Sequence, residues 1–567
     1  MSGASEGTGG QGRGRGGAGG GERSGRPAAA GKGGRGEPRR DAQGRTRSRG
    51  RSGAGRQFSS QAPSQRSRSA DPARRVAFEA VRAVHAEDAY ANLVLPPRIR
   101  QARLDRRDAA FATELAYGTL RGRGLYDAVL ARCVDRPLEQ IDPPVLDALR
   151  LGAHQLLAMR VPAHAALDAT VALVRSEIGA GPSGFVNAVL RRVSERPLED
   201  WLADVAPADV APADGGDAAL AVRTSHPVWI VRALRQALAA HPGADADQIE
   251  ELLAADNAAP VVNLVALPVD GGEEALARVI ADGAEPGPLA PGSALHAGGD
   301  ASRLPGVREG LVRVQDVGSQ LTARALVAVP REPDASERAE RWLDLCAGPG
   351  GKAALLAALA AERGATLTAN ELAPHRTDLV RSALAAVPRE AWTAHTGDGR
   401  RIADAVETPG DGYDRILVDA PCTGLGALRR RPESRWRRTP ADLAELTGLQ
   451  AELLDAAVSV LAPGGVLAYV TCSPHVAETT VQVQDLLRRH PRLEQVDAPA
   501  ALAEVALADL GLGGAPAGGG AGDGGADDGP PAEEATARTA QLWPHRHGTD
   551  AMFLALFRAP AEGEDRG

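Results

Sequence analysis

The sequence predicts an α/β fold: a mostly parallel, doubly wound sheet, preceded by an all-α domain and a small α/β segment. Three observations predict it. Trp342–Ala353 reads WLDLCAGPGGKA, an apolar run into Asp344 followed by a tight turn at Gly348, Pro349, Gly350 and Gly351, and the helix-forming run AALLAALAAERG comes next. Strand, glycine turn and helix form the opening unit of a nucleotide-binding sheet. Further apolar stretches then alternate with helical ones, which implies a parallel sheet covered on both faces. Upstream, residues 71–196 show helical periodicity throughout.

Length and composition set the bounds. A chain of 567 residues with 43% apolar content holds more than one core, although only 3% of it is aromatic. No apolar run is long enough to span a membrane, and the N-terminus lacks a signal-peptide core, so a cytoplasmic protein is expected. The four cysteines, Cys133, Cys346, Cys422 and Cys472, form no CxxC pair and have no histidine cluster beside them, so no metal site is expected. The net charge of −8 is uneven: residues 1–70 hold 15 Lys and Arg against 4 Asp and Glu. An acidic body does not exclude RNA, because local fields outweigh the total.

In chain order, residues 1–70 are an Arg/Gly-rich tail with too little apolar surface to fold. Such a tail suits phosphate contacts without sequence preference. From Asp71, helices are predicted in ARRVAFEAVRAVHAE, in the run from Asp108 to Cys133, in PPVLDALRLGAHQLLAMR, in AALDATVALVRSEI and in FVNAVLRRVSE. The basic pairs Arg106/Arg107 and Arg191/Arg192 are candidates to meet RNA. Residues 197–217 read as an Ala/Pro/Asp linker, and SHPVWIVRALRQAL reads as a helix capped by Ser225. A small α/β segment over 218–324 contains the strand APVVNLVALPV and the strand–helix LVRVQDVGSQLTARAL.

The catalytic region is expected over 337–558. After the glycine turn come the strands TLTANEL, ending in Glu371; AWTAHTGDGR, ending near Asp398; RILVDAPC, ending in Asp419; and GGVLAYVTCSP, ending in Cys472. An insert at 511–535 has the composition of disorder. AMFLALF is a last strand, antiparallel to its neighbours.

Ligands bind at the carboxyl ends of such strands, where these polar residues fall. Glu371 lies about 20 residues beyond the glycine turn, the spacing of a carboxylate that binds ribose hydroxyls. Asp398 is a candidate for an adenine amino group. Lys352 is followed by Ala353, so the loop is not a triphosphate-binding one. That leaves NAD or S-adenosylmethionine (AdoMet), and DAPC favours the second. A thiol suits methylation at C5 of a pyrimidine: adding at C6, it turns C5 into a nucleophile for the AdoMet methyl, after which C5 must lose its proton. Two thiols at neighbouring strand ends, Cys422 and Cys472, match two roles in that reaction, but spacing does not order them. Asp419 is placed to serve the cytosine N3.

DLCAGPGGKA, NEL, GDG, DAPCTGLGALRRRPESRW and YVTCSP, in this order, resemble the Sun/NOL family of RNA cytosine-C5 methyltransferases. FATELAYGTLRGRGLYD and GPSGFVNAVLRRV resemble the helical RNA-binding domain of the NusB type. Together they are similar to the family's bacterial 16S rRNA enzymes over Asp71 to about Arg558. The resemblance implies a Rossmann-like AdoMet-dependent sheet behind a NusB-like domain. It implies that Cys346, Ala347, Gly348, Pro349, Gly350, Gly351 and Lys352 lie against AdoMet, that Glu371 binds its ribose and Asp398 its adenine edge, and that Asp419 sits between cofactor and base. It makes Cys472 the nucleophile and Cys422 the group assisting product release. Ala353 departs from the Thr or Ser of many members. Arg429, Arg430, Arg431 and Arg435, beside Cys422, are expected to hold RNA phosphates. His547 and Asp550 are expected to border the substrate or shape the turn, and Gln315, Asp316 and Ser319 to give structural support. The expected partner is RNA, 16S rRNA above all, met by a monomer. The rivals are a tRNA cytosine-C5 methyltransferase, a non-catalytic RNA-binding or antitermination factor, and an NAD-dependent oxidoreductase, the last with no hydride-transfer site to support it.

Overall fold

Helical spacing in the first half of the chain becomes a helical bundle. The computed structural model describes residues 70–206, 216–331, 338–406, 410–513 and 532–561; the expected Arg/Gly-rich tail, most of the 511–535 insert and part of the 197–217 linker lie outside them. Helices Pro72–Ala86, Arg106–Arg121, Arg123–Cys133, Pro143–Leu157, Ala163–Glu177 and Ser183–Ser194 enclose a core that includes Val81, Leu115, Leu149 and Leu190. The Asp71 carboxylate caps the first of them, accepting from Arg74 N at 2.9 Å. A further helix, Ala91–Gln101, is not legible in the sequence because Pro96 and Pro97 lie inside it.

Two local expectations are corrected. The linker begins as a helix, Leu198–Val205, because Trp201 buries its ring against the bundle and donates from Nε1 to Val193 O at 3.0 Å. Ser225 does not cap the helix Val228–Ala240. It ends the preceding helix, Asp217–Thr224, in a left-handed conformation (φ 57°).

The small α/β segment is a four-stranded antiparallel sheet: β1 (Val262–Ala266), β2 (Glu285–Pro286), β3 (Ser293–His296) and β4 (Val312–Val314), in the order β2-β3-β1-β4. The helix Val317–Ala328 then leads into the main sheet and runs past the predicted limit of 324.

That sheet comprises β5 (Arg341–Asp344), β6 (Thr366–Glu371), β7 (Trp392–Thr396), β8 (Tyr413–Asp419), β9 (Leu461–Thr471), β10 (Glu494–Val496), β11 (Ala540–Gln541) and β12 (Phe553–Arg558). The order is β10-β12-β9-β8-β5-β6-β7, with β11 beside β12. From β7 to β9 all pairings are parallel, and β12 runs antiparallel to both neighbours on the path. Side chains alternate between two cores, as a period of two requires. Trp342, Leu417, Val466, Ala468 and Val470 pack into one. Leu343, Ile416, Val418, Leu467 and Tyr469 pack into the other. The expected doubly wound sheet is therefore present. Its reversed strand, inserted between β9 and β10, separates it from the six-strand parallel order of a dinucleotide-binding dehydrogenase. Among the described residues no helix is long and apolar enough to cross a membrane, and no cluster of three or more His, Cys, Asp or Glu is arranged to hold a metal.

Candidate active site

The strand order reverses between β5 and β8, and a crevice at such a point is where open α/β sheets bind ligands. The glycine loop leaves β5 there and the DAPC loop leaves β8. Lys352 of the first reaches Asp419 of the second, with Nζ to Oδ2 at 3.0 Å. Burial alone would push the Lys352 ammonium down; the adjacent Asp419 carboxylate outweighs it, and the net shift is upward.

The loop is built for close approach. A Cβ on Gly348 would lie 2.1 Å from Glu371 Oε2, and Gly350 holds φ at 107° with Ala383 Cβ 2.5 Å from where its own would be. Glu371 is buried and already occupied: Oε2 accepts from Gly348 N at 3.1 Å, Oε1 accepts from Ala373 N at 3.0 Å, and Arg376 pairs with it at 3.3 Å. Asn370 ties the neighbouring loops by donating to Leu345 O and Gly397 O. Asp398 caps a turn and is paired with Arg400, whose guanidinium holds the carboxyl below its usual range. Cys346 opens the loop half-buried; burial and the Asp344 and Asp419 carboxyls keep it a thiol.

Beneath the loop lies Asp344, fully buried, with neither carboxylate oxygen in a hydrogen bond of good geometry. Burial, and next the Asp419 charge, push its pKa up to about 8, against the pull of Lys352. The unfolded value is about 3.9. The folded state thus holds a proton the unfolded chain loses, and the contribution of Asp344 to stability falls by roughly 1.4 kcal/mol per pH unit as pH rises from about 4 to 8. Asp344→Asn, which mimics the protonated acid, is expected to flatten that decline. Thermal unfolding at pH 6 and pH 9 checks it: equal losses in both proteins would contradict the assignment.

The two thiols meet although 50 residues separate them, because β8 and β9 are parallel neighbours. Cys422 Sγ and Cys472 Sγ lie 3.5 Å apart, both half-buried and both free. Their shared hydrogen bond is the largest influence on each. With Cys422 as donor, Cys472 is drawn below the ordinary thiol value, against burial and with help from the Arg430 charge. Cys422 is held well above it by the same bond and by burial. Arg430 is itself held by Asp550, with Nε to Oδ2 at 2.5 Å.

Glu478, which sequence reasoning missed, joins the two thiol loops. Its buried carboxylate accepts from Thr423 N at 2.8 Å, Thr423 Oγ1 at 2.5 Å and Gln450 Nε2 at 3.2 Å. Its own carbonyl accepts from Tyr469 Oη at 2.7 Å. A lone acid in the loop after Cys472 carries no sequence signal; its environment comes entirely from tertiary contacts. Gly426 completes the junction: its N–H donates to Cys472 O at 2.8 Å, and a Cβ there would lie 2.1 Å from Ala551 O.

The arginine expectation is corrected for two residues. Arg435 is fully enclosed, donating to Asn257 Oδ1 at 2.7 Å and Asp256 O at 2.9 Å, and Arg429 is buried against Gly548 O at 2.8 Å. Neither presents its guanidinium to a phosphate. Arg430 and Arg431 are half-buried. His547 shapes the C-terminal turn, accepting from Trp543 N at Nδ1 and facing Leu510 O with Nε2. Asp316 binds Gly318 N, Thr549 Oγ1 and Asp550 N, the support role expected of it.

Residues 333–558 match the model of the family described as 16S rRNA methyltransferase RsmB/F, and residues 71–195 match the NusB family. A Pseudomonas putida protein named ribosomal RNA small subunit methyltransferase B is 34% identical over 429 residues, covering 75% of this chain and 91% of its own. The chain belongs to the RsmB/F methyltransferase family. A Mycobacterium tuberculosis protein, Rv1407, named as a methyltransferase, is 48% identical over 495 residues, covering 87% and 98% of the two chains. The crystal structure of PH0851 has the same fold, with a TM-score of 0.65 at 22% identity, covering 86% of this chain and 99% of that one. Membership of RsmB/F removes the oxidoreductase reading.

Proposed function

We propose that this chain transfers a methyl group from AdoMet to C5 of a cytosine in 16S rRNA through a covalent bond between Cys472 and C6. The observation that carries the proposal is the Cys422–Cys472 contact of 3.5 Å at the same sheet edge as the Lys352–Asp419 pair. The cofactor fits the residues present. The glycine at 348 leaves room for the Glu371 carboxylate against the loop, since a Cβ there would lie 2.1 Å from Glu371 Oε2; Glu371 ends β6 and Asp398 stands just beyond β7, both at the sheet edge from which the loop leaves. Glu371 would serve the ribose with the acceptor capacity its loop contacts leave, and Asp398 the adenine edge. When bound, AdoMet supplies an electrophilic methyl group.

The chain's residues do the rest. Cys472, the thiol more easily ionised, adds to C6; the C5–C6 double bond opens and C5 becomes nucleophilic. Asp419, which accepts a hydrogen bond from the Lys352 ammonium, serves N3 as that charge develops, with Lys352 as the proton source behind it. After C5 is methylated it gives its proton to a base, the carbon–sulfur bond breaks and the double bond returns. Cys422 assists this release. Its raised pKa comes first from the hydrogen bond to Cys472. Once Cys472 is bonded to carbon that charge is gone, so Cys422 ionises more easily at the step that needs a base. The target base must be unpaired or flipped out to reach the site.

Incubation of the protein with methyl-labelled AdoMet and either 16S rRNA or tRNA, followed by digestion to nucleosides, tests the proposal. Label in 5-methylcytidine from 16S rRNA is expected. Label from tRNA alone would move the substrate, and no labelled cytidine from either would reject the reaction. The pH profile adds a test of Arg430. Arg430→Gln removes the positive charge that favours the Cys472 thiolate, so the limb of activity that rises with pH is expected at higher pH than in wild type. Activity is lost near pH 7 and recovers towards pH 9.5. An unshifted limb would exclude Arg430 from ionising the nucleophile.

A further inference from the structure

The segment that follows Cys422 is anchored at both ends. Its first half is fixed to the thiol site: Thr423 on Glu478, Gly426 on the Cys472 carbonyl and Arg430 on Asp550. Its second half, Arg431 to Arg437, is fixed to the helical domain. Glu433 Oε1 accepts from Ala91 N at 3.0 Å and so caps the helix Ala91–Gln101, whose own N-cap residue, Tyr90, makes no side-chain cap. The guanidinium carbons of Arg431 and Arg437 lie 5.0 and 4.8 Å from the centre of the Tyr90 ring. Arg437 also pairs with Asp88 at 2.9 Å and donates to Val84 O at 3.1 Å, holding a turn in which Asp88 has φ of 53°. The Trp436 ring fills the space left by Gly124, where a Cβ would lie 2.7 Å from it. Arg435 joins Arg121 O of the helical domain to Ser225 O and Asp256 O of the following segment.

Arg435 and Arg437 are thus spent on carbonyls and a carboxylate of neighbouring segments rather than on phosphate. We propose that Tyr90 and Glu433 are positioning residues for methyl transfer: the NusB-like domain, through them, holds the segment carrying Cys422 and Arg430 in register with Cys472. The proposal rests on the cytosine-methylation reading for its kinetic test. Its physical ground is separate, since a displacement of about 1 Å at a reacting group costs up to a hundredfold in rate.

Full-length Tyr90→Ala and Glu433→Ala are compared with Tyr90→Phe, which keeps the ring, and Glu433→Gln, which keeps an acceptor for Ala91 N. The two alanine variants are expected to lower kcat by about tenfold or more, with KM for AdoMet and RNA within about twofold of wild type. The conservative variants, Tyr90→Phe and Glu433→Gln, are expected to keep kcat within about twofold of wild type. Alkylation of Cys422 by iodoacetamide, followed by peptide mass spectrometry without any substrate, is expected to be faster in the alanine variants and unchanged in the conservative ones. Unchanged kcat and alkylation would overturn the proposal. So would a raised KM for RNA with kcat intact, because the segment would then serve binding alone. If Tyr90→Ala does not fold, shown by loss of its thermal transition, Glu433→Ala decides. Wild type that methylates no RNA would reject the functional reading, while the alkylation rates would still decide whether the helical domain holds the loop.

Discussion

Cys472→Ala is expected to abolish methyl transfer, by on the order of 10⁴-fold or more, because the proposed mechanism makes Cys472 the group that opens the cytosine C5–C6 bond. Cys422 does not replace it. Removing Cys472 takes away the hydrogen bond that raises Cys422 most, but burial and the Glu478 charge still hold Cys422 above the ordinary thiol value. Cys472 is half-buried at the margin of the core, and alanine keeps its Cβ, so the alanine variant should keep its fold and its affinity for AdoMet. Initial rates with labelled AdoMet measure the loss, and equilibrium binding of AdoMet is the control. Activity within about tenfold of wild type would remove Cys472 from the nucleophile's role.

Cys422→Ala is expected to behave differently. Addition at C6 and methylation remain open to it, but release is slowed, so protein accumulates bound to RNA. A band resistant to denaturant, present with Cys422→Ala and absent from both wild type and the Cys422→Ala/Cys472→Ala double variant, is the predicted result. The separation of 3.5 Å explains why one thiol can act on the other's adduct. Losing Cys422 also removes the hydrogen bond that most favours the Cys472 thiolate, so adduct formation in the single variant should be slower at pH 7 than at pH 8.5. A single variant that turns over normally would leave Cys422 without a part in release.

The strands of the main sheet were legible where they are long and locally patterned. β5, β8 and β9 carry consecutive apolar residues that can be read without a partner, and β6 alternates polar and apolar residues instead. β2, β10 and β11, two or three residues each, are specified by the strand beside them and leave no local pattern. The ends of β8 and β9 were found because Asp419, Cys422 and Cys472 stand where a strand stops. That the thiols touch follows from strand pairing, not from sequence distance. The arginines show the opposite failure. A run of charge beside the site reads as a phosphate-binding surface, yet Arg435 is among the largest fully buried side chains, because carbonyls from three separate parts of the chain converge on it. Glu478 was invisible for the same reason: its partners, Thr423 and Gln450, come from other elements.

Bisulfite sequencing of 16S rRNA tests the central claim most directly, using cells without this gene, complemented by wild type or by Cys472→Ala. One methylated cytosine that disappears with the gene, returns with wild type and stays absent with Cys472→Ala is the predicted result. A 16S rRNA methylation map that is the same with and without the gene would contradict the rRNA assignment, and restoration by Cys472→Ala would contradict the mechanism.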